Sequence, residues 1–303
     1  MNDYKKHLIH QNESVKAAMI KLDKLATDAI LFLVDDHDKL IGSLTDGDLR
    51  RGFINDRTLQ DSLLSFIQAH PKFIYENEYS LSQLTELREK NYKVFPVLNK
   101  EHQVVDVINF RVLKSFIPAD AVIMAGGRGE RLRPLTDTLP KPMLPVGDKP
   151  ILEHNINRLG KFGMFDIWIT LKYMGQKIKD HFGDGSQHSM NIQYVEEQEA
   201  LGTAGALRLI PSFEHDSVLL MNSDVMTNIN YEDFFLFFQK EQADLAVACI
   251  PYSVNIPYAV METTGLEVTG FKEKPSYTHY SNAGIYFMKR EVIDLIPKNQ
   301  FYN

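Results

Sequence analysis

The sequence predicts an α/β protein in two parts: a doubly wound, mostly parallel sheet preceded by a tandem pair of small α+β units. Its 303 residues leave room for two domains. The apolar fraction of 44% and the charged fraction of 24% are those of ordinary globular proteins. Near Pro118 the apolar pattern changes from short strands within a repeated unit to strands that alternate with helices.

The part before Pro118 contains the same unit twice. The first copy runs from the helical pattern SVKAAMIKLDKLA through two apolar strands, AILFLV and LIGSLT, to a helix that opens with DGDLRRGF. The second copy, LSQLTELREKNYKVFPVLNKEHQVVDVINFRVLKSF, has the same order of helix, strand, turn, strand and helix. Short strands in a repeat of roughly 60 residues indicate a duplicated unit in which each copy needs the other to bury its sheet. We place the copies at 1–62 and 63–117.

The part after Pro118, residues 119–303, alternates strands and helices. This alternation is typical of a parallel sheet with helices on both faces. Strands are predicted at 120–125, 166–171, 191–196 and 217–222, and helices at 151–162, 174–182, 203–210 and 231–241. Beyond residue 244 strand-like runs outnumber helices, which predicts a mixed extension of the sheet over a substrate pocket.

Charge and composition exclude several classes of function. With 33 Lys and Arg against 40 Asp and Glu, the net charge of −7 argues against nucleic acid as the main partner. No apolar run approaches the ~20 residues of a membrane span, and the start MNDYKKHLIHQNES lacks the apolar core of a signal peptide. The single cysteine, Cys249, cannot form an internal disulfide. We therefore expect a cytoplasmic protein that does not contact a membrane.

The strongest motif is AVIMAGGRGERLRPLTDTLPKPMLPVGDKPILEH, residues 121–154. An apolar strand leads into a glycine-rich loop: Ala125, Gly126, Gly127 and Gly129. Glycines let backbone N–H groups approach a ligand closely. Arg131, and Lys141 between two prolines, add cations, and this combination at the carboxyl end of a parallel strand predicts a triphosphate site. It is neither a Walker P-loop nor a GxGxxG fingerprint, because the required GK[ST] and glycine spacing are missing.

This segment resembles the N-terminal signature of the sugar-1-phosphate nucleotidyltransferases, written loosely as AGGxGxRLxPLTxxxPKPMLPVxxKPILE. The likeness continues over residues 119–303 and implies the Rossmann-like fold of that family. It also implies that the glycine loop holds a nucleoside triphosphate. By the same resemblance, Arg131 and Lys141 stabilise charge on the attacked α-phosphate and on the departing pyrophosphate.

The segment EQEALGTAGAL predicts a helix that opens at Thr203 with its N-terminus against a ligand. In the family this segment lines the base pocket, so the resemblance places Gly202 and Thr203 there, with Glu197 in contact with the base. A carboxylate only accepts hydrogen bonds, which suits the N1–H and N2–H₂ donors of guanine, whereas an amide would suit uracil or thymine better. GTP is therefore favoured, unless Glu196 takes the inward position instead.

The segment SVLLMNSDVMTN brings Asp224 to the carboxyl end of a strand, where a carboxylate is costly unless it binds a cation or donors. From the residues alone, a helix cap is the alternative. The family has a Mg²⁺ ligand at this point, so the resemblance assigns Asp224 to Mg²⁺. Relatives continue past the position of Asn303 and take a second metal ligand from that region. We therefore expect either a truncated chain or an incomplete catalytic domain.

Weaker signals come from the last third of the chain. The run FKEKP resembles the EKP element of the family, in which Glu273 binds sugar hydroxyls and Lys274 the sugar phosphate. A solvated run of charges is the alternative. The run NAGIY places Asn282 and Gly284 at a sugar-binding position. The dipeptide Tyr258-Ala259 stands where relatives often have Tyr-Gly with a backbone N–H facing the sugar, so alanine there alters the contact.

The duplicated units resemble a tandem pair of CBS (cystathionine-β-synthase) domains. The run GSLTDGDLR matches the GxxTxxD pattern, which implies that Thr45 and Asp48 hold the ribose of an adenine nucleotide. The second copy has Asp106 in place of the glycine and Asn109 in place of the threonine, without a matching acid. A nucleotide is therefore expected in the first copy only, and a purely structural dimerisation module is the alternative. The pair predicts a homodimer.

Together these features predict Mg²⁺-dependent transfer of a nucleotidyl group, with guanylyl favoured, from a nucleoside triphosphate to a sugar-1-phosphate. The products are a nucleotide-diphospho-sugar for glycan biosynthesis and pyrophosphate. CBS-fused relatives serve routes to legionaminic acid, mannose or perosamine glycans such as lipopolysaccharide, among which the sequence does not choose. Two alternatives stay open: a cytidylyl- or uridylyltransferase, and a non-catalytic regulatory subunit that senses nucleotide sugars.

Overall fold

The computed structural model describes residues 4–302, with the exception of Asn77, Ala200, Thr203 and Asn299. The chain divides into two compact units. One consists of the residues up to Pro118 together with 156–166 and 182–192, and the other of 119–155, 167–181 and 193–303. The chain thus passes from one unit to the other after Pro118, where the apolar pattern of the sequence changes.

The two repeats before Pro118 have the same strand topology. The first consists of β1 (Leu8–His10), α1 (Val15–Leu25), β2 (Ile30–Val34), β3 (Leu40–Thr45) and α2 (Asp46–Ile54), and the second of β4 (Ile74–Tyr75), α3 (Leu81–Glu89), β5 (Val94–Leu98) and β6 (Val104–Asn109). In each, the first strand pairs in parallel with the second, which pairs antiparallel with the third. Phe32 and Val34 pack with Leu98, Val104 and Val107 in one buried cluster. This confirms that the copies bury their sheets against each other.

The last helix of the second copy, expected from FRVLKSF, does not form: residues 110–112 make a turn and 113–117 are irregular. In the first copy Thr45 and Asp48 start α2 with a capping box. Asn109 and Val112 occupy the corresponding positions of the second copy, so this box cannot form. Asn109 Oδ1 accepts the N–H of Arg111 instead (2.9 Å), which closes a turn.

The C-terminal part of the chain builds the six-stranded sheet. Its elements are β7 (Asp120–Met124), β8 (Pro145–Val146), β9 (Lys149–Pro150), α4 (Ile151–Lys161), β10 (Asp166–Leu171), α5 (Gly175–Phe182), β11 (Asn191–Glu196), β12 (Ser217–Asn222), α6 (Tyr231–Lys240), β13 (Leu245–Asn255), β14 (Val260–Thr264), β15 (Glu267–Lys272) and β16 (Ser276–Lys289). The strand order is β11-β10-β7-β12-β16-β13. β7 is parallel to β10 and β12, whereas β16 is antiparallel to β12 and β13. This is the predicted doubly wound sheet with a mixed extension.

One predicted helix of this part is wrong. The four predicted strands and three of the helices lie within one residue of their expected bounds. In the described part of 203–210, however, the chain forms only a 3-10 helix, Gly205–Leu209. Ala204 stands at its N-cap and has no side-chain acceptor for the first N–H groups. Pro211 follows directly and disfavours the helical conformation of Ile210. The segment therefore has neither the start nor the length that an α-helix needs.

The core of the sheet holds its central strands in a fixed register. Val122, Trp168, Val218 and Leu220 are buried in one cluster with further apolar side chains. The buried carboxylate of Asp120, at the start of β7, accepts the N–H groups of Glu214 (3.3 Å) and His215 (2.8 Å). Within the described residues, no helix has the length and apolarity of a membrane span.

Candidate active site

The glycine loop follows β7 at the carboxyl edge of the sheet, where its parallel neighbours β10 and β12 also end. Gly129 has a φ of +64°, and a Cβ there would lie 3.0 Å both from Cβ of Lys141 and from Cγ2 of Thr136. The Thr136 hydroxyl donates to the carbonyl of Gly129 (2.9 Å). Position 129 therefore requires glycine for its backbone conformation and for lack of space.

The turn after β12 brings Asp224 to the same edge. Asn222 pairs with Met124 in the register of the sheet, and the N–H of Ser223 donates to the Met124 carbonyl (3.2 Å). The Asn155 side chain, buried on α4, donates from Nδ2 to the carbonyl of Ser223 (3.1 Å). These two hydrogen bonds hold the backbone of the turn and so orient Asp224.

A cleft of about 530 Å³ lies between the glycine loop and this turn. Its lining includes both of the predicted phosphate-binding cations and the predicted metal ligand, together with backbone from the loop: Gly127, Gly129, Arg131, Lys141, Asn222 and Asp224. Residues almost 100 positions apart in the sequence thus meet in one concave site. Parallel strands cause this, because their carboxyl ends share one edge.

The charged groups of the cleft are arranged in two ways. Lys141 Nζ pairs with Asp224 Oδ2 across the cleft, and both side chains are about one third exposed. Arg128 and Arg131 make no ion pair with any described residue, whereas Arg133 pairs with Asp137 (3.4 Å). The cleft therefore offers uncommitted guanidinium groups and an ammonium that an anionic ligand can draw away from its carboxylate.

Glu197 is the glutamate that faces the glycine loop. Its N–H donates to the carbonyl of Leu171 (2.8 Å), and its Oε2 accepts the N–H of Leu201 (3.1 Å). Its Oε1 lies 2.9 Å from the point that a Cβ on Gly126 would occupy. Glu196 points away and pairs with Lys179 (2.5 Å). Of the two glutamates, Glu197 is therefore the one that lies beside the glycine loop.

Gly202 and Thr203 follow this loop. Gly202 has a φ of +77°, and Thr203 lies outside the described residues. The predicted cap falls on this residue and so lies outside the described part of the chain, and the 3-10 helix that follows begins at Gly205.

The predicted sugar-binding residues fall into two groups. Gly284 has a φ of +71°, and a Cβ there would lie 2.5 Å from Nδ2 of Asn222, beside the cleft. Asn282 Oδ1 accepts the Gly284 N–H (2.8 Å). Tyr258, Glu273 and Lys274 belong to the exposed segment between β13 and β16 and are not part of the cleft lining. None of the five predicted residues is part of the cleft lining, and Gly284, with Asn282 bonded to it, lies next to Asn222 of that lining.

Comparison with known proteins identifies the part of the chain that carries this cleft. The family model of nucleotidyl transferases matches residues 120–302. The chain belongs to the nucleotidyl transferase family. A CBS domain model matches residues 6–55, which cover the first repeat.

Two curated relatives of this nucleotidyl transferase are guanylyltransferases. The mannose-1-phosphate guanylyltransferase of Mycobacterium tuberculosis is 32% identical over 185 residues, which are 60% of this chain and 52% of that protein. The D-glycero-alpha-D-manno-heptose 1-phosphate guanylyltransferase of Aneurinibacillus thermoaerophilus is 30% identical over 58% of this chain and 76% of its own length. The solved HddC from Yersinia pseudotuberculosis is 26% identical, covering 60% of this chain and 82% of that chain, with a TM-score of 0.48. The chain spans about half the length of most of the curated relatives it matches.

The nucleotidyl transferase cleft has donors that suit Mg²⁺. Asp224 and Glu130 are the carboxylates in its described lining, and Asn222 adds an amide. Mg²⁺ is commonly held by one or two carboxylates together with substrate phosphates and water. Asp224 fits this role because its carboxylate lies at a strand end, opposite the cations that would bind the phosphates.

The residues that the sequence assigns to a CBS nucleotide have structural partners. Asp48 Oδ2 accepts the N–H (2.9 Å) and the hydroxyl (2.6 Å) of Thr45, and its Oδ1 accepts from Arg51 (2.6 Å) and Gln68 (3.1 Å). Burial raises the pKa of Asp48, but the hydrogen bonds from Thr45, Gln68 and Arg51 outweigh it and hold this pKa below its usual range. A ribose at Asp48 would have to replace one of these bonds.

Sequence reasoning missed Asn155, which positions the turn of Asp224. It lies on the face of α4 that also buries Leu152, Ile156 and Leu159. An amide on the apolar face of an amphipathic helix is the signal that points to it, because a buried amide requires a partner.

Proposed function

We propose that the chain transfers a guanylyl group from GTP to a sugar-1-phosphate and releases pyrophosphate. The observation that carries the proposal is the cleft in which the glycine loop, Arg131, Lys141 and Asp224 lie together. Backbone donors, cations and a carboxylate are what a triphosphate and its metal ion require. The similarity to a mannose-1-phosphate guanylyltransferase supports a sugar phosphate as the second substrate.

In this reaction an oxygen of the sugar phosphate attacks the α-phosphorus of GTP, and the bond between that phosphorus and the pyrophosphate oxygen breaks. The attacking phosphate is already ionised, so no protein nucleophile or general base is needed. Catalysis then comes from positioning and from stabilisation of charge. Arg131 would bind the departing pyrophosphate. Lys141 would leave its ion pair with Asp224 and contact the α-phosphate instead.

Asp224, released by Lys141, would hold a Mg²⁺ ion. When bound, this ion neutralises charge on the triphosphate oxygens. The ion pair of the free enzyme keeps both groups in the cleft before the substrates arrive, because each neutralises the other.

Glu197 would select the base. Its carboxylate accepts from N1–H and N2–H₂ of guanine, and a carboxylate has enough lone pairs to keep the Leu201 N–H as well. Uracil places a carbonyl beside its single N–H, and that carbonyl would face the carboxylate. The position of Oε1 beside Gly126 therefore supports GTP over UTP.

On the sugar side, Asn282 and Gly284 would bind the hexose hydroxyls next to Asn222. Tyr258, Glu273 and Lys274 would complete the sugar-phosphate site from the segment between β13 and β16. The nucleotide-diphospho-sugar would then supply glycan synthesis.

The test is pyrophosphate release by the full chain with Mg²⁺, over a grid of GTP, ATP, CTP and UTP with several sugar-1-phosphates. We expect the highest kcat/KM with GTP. Asp224→Asn should lower kcat about 100-fold and raise the Mg²⁺ concentration needed for half-maximal rate. The matched control is Asp216→Asn, whose carboxylate pairs with Arg290 on the surface (2.7 Å) and should change neither quantity.

Three outcomes would contradict parts of the proposal. If Asp224→Asn releases pyrophosphate at the full rate, the proposal that Asp224 holds Mg²⁺ is rejected. A preference for UTP or CTP would support nucleotidyl transfer but reject guanine as the preferred base. No release from any nucleotide that nevertheless binds would favour a regulatory subunit.

The CBS pair would serve as a homodimerisation and regulatory module. α1 and α2 present an exposed apolar groove, with Met19 42% and Ile54 72% exposed. Asp23 and Asp46 line this groove with Arg50, so opposite charges lie on one face. A second copy turned by a two-fold axis can match these charges with its own, which supports a dimer through this face. An adenine nucleotide at Thr45 and Asp48 would be the regulatory ligand.

A further inference from the structure

Lys172 is a lysine at the edge of the nucleotide cleft that the mechanism above does not use. We propose that its ammonium reads O6 of the guanine base and so forms, with Glu197, a complete donor–acceptor site for guanine. This deepens the proposed use of GTP and rests on it. Lys172 would be a specificity-determining residue rather than a phosphate ligand.

Position is the first observation. Lys172 follows Leu171, the last residue of β10, and so stands at the carboxyl edge of the sheet. Its Cβ lies 3.4 Å from the point that a Cβ on Gly126 would occupy, and Oε1 of Glu197 lies 2.9 Å from the same point. The Glu197 N–H donates to the carbonyl of Leu171 (2.8 Å). The two charged side chains therefore leave adjacent backbone segments beside the glycine loop.

Availability is the second observation. Lys177 donates to the carbonyl of Thr138 (2.5 Å), and Lys179 pairs with Glu196 (2.5 Å). Lys172 is exposed, and its ammonium has no hydrogen bond or ion pair with any residue that the structure describes, Glu197 included. Of the lysines that follow β10 up to residue 179, Lys172 thus has its ammonium available for a ligand.

The chemistry of the bases selects guanine. Guanine presents an acceptor at O6 beside donors at N1 and N2, which match an ammonium beside a carboxylate. Adenine presents a 6-amino donor and an N1 acceptor, so both protein groups would meet a group of their own kind. Such a mismatch leaves charged groups unpaired, and the cost gives large discrimination.

The experiment is equilibrium binding of GTP, ITP and ATP to the full chain, by calorimetry without sugar phosphate. ITP keeps O6 and N1–H and lacks only the 2-amino group. Lys172→Met should raise the Kd of GTP and of ITP by the same factor, about 10-fold, and leave the Kd of ATP unchanged or lower. Lys240→Met removes an exposed lysine at the end of α6 and is the matched control, with no expected change.

The outcomes separate this inference from the proposed function. An equal loss of affinity for all three nucleotides in Lys172→Met would assign Lys172 to the triphosphate and overturn the inference. Unchanged Kd values for all three nucleotides would overturn it as well. Wild-type chain that binds ATP as tightly as GTP would overturn the guanine assignment as a whole. If the binding is base-selective but no pyrophosphate is released, the role of Lys172 in base recognition is retained and only the proposed catalysis is rejected.

Discussion

At the scale of single residues, two carboxylates near the glycine loop have different surroundings. Asp224 lies opposite Lys141 at the end of β12, among cations, and is suited to a metal and phosphates. Glu197 lies beside Gly126 with one oxygen held by the Leu201 N–H, and is suited to the donors of a base. These different surroundings are the basis of the different roles proposed for the two groups.

Glu197→Gln should reduce the preference for GTP over UTP about 10-fold, because the amide replaces one acceptor by a donor. The measurement is kcat/KM for pyrophosphate release with both nucleotides. Glu196→Gln is the matched control, since this neighbour pairs with Lys179 on the surface. An unchanged preference in Glu197→Gln would reject the base assignment.

At the scale of elements, capping decides which helices of the repeats form. Ser14 and Ser80 start α1 and α3 by accepting backbone N–H groups (3.1 and 3.2 Å), and Thr45 with Asp48 starts α2. The second copy lacks the acid of this box and the helix as well. The same turn of the first copy thus serves stability, whatever it binds.

Asp48→Asn should lower the free energy of unfolding by about 1–2 kcal/mol at pH 7. The variant loses the capping box with Thr45 and the ion pair between Asp48 and Arg51. The pKa of Asp48 is lowered in the folded state, so its contribution is full above its ordinary value of 3.8 and is lost as the pH falls below it. The difference between wild type and variant should therefore shrink in acid.

Urea unfolding of the full chain from pH 7 to pH 3 would measure this difference. Asp56→Asn, an exposed acid just after α2 and outside the groove, is the control and should cost little. A loss for Asp48→Asn that stays constant down to pH 3 would show that the charge of Asp48 does not contribute.

At the scale of the whole molecule, the module before Pro118 and the nucleotidyl transferase part carry different surface features. The transferase cleft is built within residues 119–303. The repeats contribute a shared core and an exposed groove between α1 and α2. The proposed assembly and regulation would therefore involve the first part, and the proposed chemistry the second.

Ile54→Glu should turn the proposed dimer into a monomer, because a charge would be buried against the second copy. Light scattering coupled to size exclusion measures the mass. Ile54 is 72% exposed and Val112 is 67% exposed, so Val112→Glu is a matched control that should leave the dimer intact. Wild-type chain that is monomeric throughout would reject the dimer.

The sequence by itself determined most of the strands and helices, the duplicated module and the glycine loop with Arg131 and Lys141. These features depend on local periodicity and on residue types at fixed spacing, which the chain carries without reference to its fold. Local reasoning was wrong at 203–210 and at 110–117, where a missing cap and a proline outweighed helical patterns.

Only the tertiary structure decided which side chains meet. It paired Lys141 with Asp224, placed Asn155 under the turn of Asp224, and directed Glu197 rather than Glu196 towards the glycine loop. The physical reason is that neighbouring residues along a strand point to opposite faces, so a choice between adjacent glutamates depends on the register of the sheet. That register is set by packing between strands far apart in the sequence.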